Sequence, residues 1–84
     1  MQQVDEENLT KLGQKVSELR KQKSQSLNKF VISKGFLTAA TWSRIENGKF
    51  DLKFSTLLRV AHMLDMKISD LLKLIDLSYE FNEE

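Results

Sequence analysis

The chain has 84 residues, 40% of them apolar and 30% charged, with no cysteine and no proline. That is room for one domain spanning 1–84, with a normal soluble composition. It leaves no disulfide, thiolate zinc or iron–sulfur centre, and no apolar run nears the ~20 residues of a membrane span. The net charge of +1 hides an asymmetry. Residues 1–10 hold Asp5, Glu6 and Glu7 and no base, and residues 54–84 hold six acids against three bases. Residues 11–53 hold ten Lys or Arg against Glu18, Glu46 and Asp51. A basic middle between acidic ends is the distribution expected of a surface that meets phosphate.

Met1 to Glu7 is polar and expected to fray, and it carries no secretory signal. Leu9, Leu12, Val16 and Leu19 recur at steps of three and four residues, which predicts an amphipathic first helix to about Lys23. Gly13 within it costs about 1 kcal/mol relative to alanine, so its presence suggests the close approach of another helix. Lys11, Lys15, Lys21 and Lys23 read as solvated. Ser24-Gln25-Ser26 breaks the period, and Ser26 is placed to cap a second helix from Leu27 to about Lys34. Leu27, Phe30 and Val31 form its apolar side, Ile32 falls off that stripe, and Gly35 ends it.

Thr38 caps a third helix, and Gly48 is its stop. At about 100° per residue, Trp42 and Ile45 share its inward side, with Thr41 and Glu46 on the flanks. Trp42 therefore reads as core. Ala39, Ala40, Ser43, Arg44 and Asn47 fall outward. A solvated face would carry Lys and Glu at such positions. Small side chains instead let a backbone approach a partner closely, and a lone Arg can bond guanine with two prongs. This is the pattern of a helix that enters the DNA major groove.

Lys49 to Lys53 reads as a loop. Phe54, Leu57, Leu58, Ala61 and Leu64 then mark a fourth helix, with Arg59 and His62 off its apolar centre. Ser69 is placed to cap a fifth, over about 69–81, with Ile68 before the cap. That helix is too apolar for one buried face. Ile68, Leu71, Leu72, Ile75 and Tyr79 form one stripe, and Leu74, Leu77 and Phe81 form a second. A helix on a monomer shows an apolar arc of little more than ~100°. The second stripe is surplus and predicts a dimer interface on Leu74, Leu77 and Phe81.

Ser43-Arg44-Ile45-Glu46-Asn47-Gly48-Lys49, with Leu12-Gly13 and Arg20 upstream and Thr56-Leu57 downstream, resembles the XRE family of helix-turn-helix regulators. These include the lambda-type phage repressors and Cro, and the likeness runs from about Leu9 to Leu72. The resemblance implies an all-α, five-helix lambda-repressor-like domain with the helix-turn-helix at helices two and three. It implies that Ala39, Ala40, Ser43 and Arg44 meet base edges. It also implies an ion pair between Arg20 and Glu46, for which bidentate Arg–carboxylate geometry is chemically apt. Ser26, Lys29, Thr38, Asn47, Lys49 and Lys53 are expected at the DNA backbone. The turn between the two helices is one residue longer than the commonest family form, which would alter the angle between them.

No Gly-rich phosphate loop, HExxH or CxxC occurs, so no enzyme activity is expected. His62 is the only histidine and, without cysteine, predicts no metal site. The sequence therefore predicts a cytoplasmic, cofactor-free regulator of double-stranded DNA, probing a two-fold operator as a homodimer, without membrane association. The competing reading keeps the fold as a protein-interaction module, such as an antitoxin holding a toxin. An effector is left open.

Overall fold

The computed structural model describes residues 3–49 and 51–77. Among these are five helices and no strand: α1 (Gln3–Lys23), α2 (Leu27–Lys34), α3 (Ala39–Glu46), α4 (Phe54–Met63) and α5 (Ile68–Lys73). No helix of the described residues is long and apolar enough to cross a membrane.

α1 begins well before Leu9. Glu6 and Glu7, read above as part of a frayed end, lie in its early turns. Glutamate is a good helix former, and negative charge is favourable near a helix N-terminus. α2 starts and stops as its sequence predicts. The Ser26 hydroxyl accepts the Lys29 N–H at 3.3 Å, and Gly35, at φ 77°, donates its N–H to the Val31 carbonyl at 2.8 Å.

α1 and α3 cross at Gly13. A Cβ added there would run into the Ile45 carbonyl and lie 2.7 Å from the Glu46 carbonyl oxygen. The glycine thus trades helix propensity for a backbone contact that no side chain permits. Around this crossing the core closes on Val16, Trp42, Ile45, Val60, Met63, Leu64 and Leu71, all essentially without solvent exposure. Leu12, Phe30, Val31, Ala61 and Ile75 complete it.

α4 buries part of the expected stripe, Ala61 and Leu64, with Leu57 packed against the core, but not all of it. Phe54 is 68% exposed and Leu58 is exposed, while Val60 and Met63 are fully buried. The sequence offers two overlapping arcs, Phe54-Leu57-Leu58-Ala61 and Leu57-Val60-Ala61-Leu64. Both have helical spacing, and docking against the rest of the core selects the second.

The C-terminal helix is shorter than expected and starts earlier. Lys67 takes the N-cap position without a side-chain hydrogen bond, and Ser69 lies inside the helix rather than capping it. The helix predicted over about 69–81 ends at Lys73. The Leu74 and Ile75 amides bond back to the Leu71 and Leu72 carbonyls at 3.1 and 3.2 Å, a tightening common at helix ends. The Lys11 ammonium donates to the Asp76 carbonyl at 2.9 Å, tying the departing chain to α1. Leu74 and Leu77 are exposed but do not share a helical stripe; Phe81 and Tyr79 lie outside the described residues. The turn from α4 to α5 pivots on Asp65 at φ 59°. Its carboxylate takes Lys23 and Lys34 at 3.1 and 3.2 Å.

Candidate nucleic-acid interface

α2, the four-residue link from Gly35 to Thr38, and α3 form a helix-turn-helix. Thr38 fixes the start of α3. Its Oγ1 accepts the Thr41 N–H at 3.1 Å and donates to the Thr41 hydroxyl at 2.9 Å. The far end closes as the Gly48 and Lys49 amides bond the Ile45 and Arg44 carbonyls at 3.1 and 2.9 Å. Gly48 sits at φ 68°, and a Cβ there would lie 3.1 Å from the Cα of Thr10 on α1. Both backbone shape and space therefore demand glycine at this exit.

The inward side of α3 is Trp42 and Ile45, both buried, with the Trp42 ring 4.9 Å from that of Phe30 on α2. On the other side Ala40, Arg44 and Asn47 are exposed and Ser43 is half-buried. Ala39 is half-buried and packs against the core, so it stands at the edge of this face rather than in its middle. Asn47 donates its side-chain amide to the Ser43 carbonyl at 2.8 Å and more loosely to the Ser43 hydroxyl at 3.5 Å. Lys29 on α2 and Lys49 and Lys53 after α3 are all exposed. Ser26, at the head of α2, is half-buried and uses its hydroxyl oxygen as the cap.

The helix is held in place from behind by charge. Arg20 of α1 donates Nε and Nη2 to the two carboxylate oxygens of Glu46, at 2.8 and 2.9 Å. Its Nη1 donates to the Ser24 and Gln25 carbonyls at 3.1 and 2.9 Å. The Trp42 indole N–H adds a third bond to Glu46 at 2.6 Å. Arg20 is only 5% exposed, so this is a buried pair whose polar atoms are all satisfied. Burial pushes the Glu46 carboxyl up. Hydrogen bonds from Arg20, Trp42 and Ser17, together with the Arg20 charge, outweigh it and hold the group below the ordinary carboxylate value. Arg20 is raised in turn, chiefly by its bond to Glu46 and against its own burial.

The pair expected between Arg20 and Glu46 is thus present. The indole bond was not read from the sequence, although Trp42 and Glu46 stand at the i,i+4 spacing that permits it. The arrangement presents a helix with a small-residue face around one arginine, locked by its other face to α1. Lysines stand before and after it. No group of three His, Cys, Asp or Glu able to hold a metal occurs among the described residues.

The fold agrees with that of known proteins. The crystal structure of the restriction-modification controller protein C.AhdI from Aeromonas hydrophila is similar, with a TM-score of 0.67 and 28% sequence identity. The match covers 77% of this chain and 97% of that one. No curated protein matches significantly. The family model for the Cro/C1-type helix-turn-helix DNA-binding domain matches residues 9–76, most of the chain, and the chain belongs to that family.

Proposed function

We propose that this DNA-binding domain is a sequence-specific transcriptional regulator, a repressor or autoregulator acting in the cytoplasm as a homodimer on a two-fold operator. The observation that carries this reading is the outward face of α3, where Ala40, Ser43 and Arg44 surround a backbone that can enter the major groove. Arg44 bonds a guanine, and the Ala40 methyl, with Ala39 at the edge, packs against thymine methyls. Asn47, Lys49 and Lys53 meet phosphates, joined by Ser26, Lys29 and Thr38 from the start of the helix-turn-helix. Thr38 must then turn its hydroxyl proton from Thr41 to the phosphate. Similarity to a restriction-modification controller protein supports a regulatory role.

The dimer reading rests on Leu74 and Leu77, which are 48% and 42% exposed although leucine is ordinarily buried. Pairing through that end of the domain, with Phe81 contributing, would set two copies of α3 on half-sites about 34 Å apart. Footprinting on DNA upstream of the chain's own gene, followed by Arg44→Ala, tests the reading. The variant is expected to lose about 1–3 kcal/mol on the footprinted site and to relax preference at one base pair. Equal binding by both proteins would remove Arg44 from base reading.

A further inference from the structure

We propose that Glu6, in the early turns of α1, competes with DNA phosphate for the Lys49 ammonium and so weakens the hold of the domain on DNA. This rests on the reading above, in which Asn47 and Lys49 meet phosphates. α1 passes directly over the exit of α3: a Cβ on Gly48 would lie 3.1 Å from both the Cα and the hydroxyl oxygen of Thr10. Glu6 stands four residues before Thr10, one turn along the same face of α1. Glu6, Thr10, Asn47, Gly48 and Lys49 accordingly line a single open cavity of about 330 Å³. Of these five, Glu6 is the acid and Lys49 the base, and both are exposed.

A phosphate held by Asn47 and Lys49 sits at the mouth of a cavity that already contains a carboxylate. The lysine ammonium is a compact charge on a flexible stem, able to turn to either anion. In the unbound domain Glu6 is its counter-ion. In the complex the phosphate takes that place, and Glu6 is left facing a like charge. Both steps oppose binding. Lys11, which lines a neighbouring hollow with Glu6 and Glu7, is engaged by the Asp76 carbonyl at 2.9 Å. The family match begins at residue 9, so Glu6 belongs to a part of α1 that precedes the matched residues. Contacts to phosphate supply nearly all sequence-independent affinity, and they carry no sequence information. An acid beside the phosphate site thus trims the general hold on DNA and leaves base reading by Arg44 alone.

The test is a double-mutant cycle on the full chain, with affinity for a random-sequence DNA duplex and for the footprinted operator read by fluorescence anisotropy. Glu6→Gln is expected to tighten binding about two- to tenfold per protomer on both DNAs at low salt, the scale of one surface charge acting on another. It should steepen the dependence of log K on log salt by less than the ~0.9 of one phosphate contact. In a Lys49→Ala background the same change should move affinity by less than about twofold. Glu7→Gln makes an equal change in net charge one residue on and should do much less than Glu6→Gln. The melting temperature of Glu6→Gln should stay near that of wild type. Unchanged affinity in Glu6→Gln, with binding still weakened by Lys49→Ala, would overturn this proposal and leave the phosphate reading intact. No effect of Lys49→Ala would remove the phosphate contact and this proposal with it. An equal gain from Glu7→Gln, or from Glu6→Gln in the Lys49→Ala background, would overturn it too, because net charge rather than competition for Lys49 would then be responsible.

Discussion

Arg20 and Glu46, 26 residues apart in the chain, face each other through two parallel hydrogen bonds of 2.8 and 2.9 Å. The bond from Trp42 makes the Glu46 carboxylate the junction of α1 and the inward side of α3. The position of α3 relative to the rest of the domain thus depends on a buried charge pair. Removing one partner leaves the other charged in a place with little water, which costs about 3–5 kcal/mol.

That cost has a pH signature. Because the Glu46 carboxyl is lowered in the folded state, its contribution is fully present above the unfolded glutamate value of about 4.3. It is lost as pH falls through the lower, folded value. Glu46→Gln, compared with wild type by urea unfolding, should be roughly 3 kcal/mol less stable at neutral pH. The gap should narrow steadily in acid. A gap that stays constant to strongly acidic pH would mean that the pair contributes shape but not charge.

Gly13→Ala should destabilise, against helix propensity. Alanine in an exposed helix interior gains about 1 kcal/mol over glycine, but here its Cβ meets two backbone carbonyls of α3. Backbone cannot rotate away as a side chain can, so the helices must part, at about 1–3 kcal/mol for overpacking. A raised melting temperature in the variant would show that the crossing is looser than described.

Lys49 separates phosphate binding from simple solvation. If it contacts one phosphate, Lys49→Ala should reduce the slope of log K against log salt concentration by about 0.9 for each protomer engaged. Loss of affinity should be similar on operator and random DNA, since backbone contacts carry no sequence information. An unchanged slope would place Lys49 in solvent.

Leu74→Glu with Leu77→Glu addresses the dimer. Both side chains are exposed in the single chain, so the variant is expected to fold normally and sediment as a monomer with much weaker operator binding. A wild type that is already monomeric at micromolar concentration would leave these leucines to another partner.

The local chemistry of the chain was enough to place the caps of α2 and α3 and the two sides of α3, but not the cap of α5, where Lys67 stands instead of Ser69. Ser26 and Thr38 act through amides three residues on, and the alternation of Trp42 and Ile45 with Ala40 and Arg44 follows from helical spacing alone. The family pattern carried the pairing of Arg20 with Glu46, which periodicity by itself does not specify. Tertiary structure decided the rest. Two apolar arcs on α4 have equally good spacing, and only docking chose Val60 and Met63 over Phe54 and Leu58. The apolar run after Ile68 could have continued as a helix. Its end at Lys73 reflects backbone bonds to Leu71 and Leu72 and the hold of Lys11 on Asp76, a residue 65 positions away. Hydrophobic spacing says which faces can be buried; the space left by the other helices determines which one is.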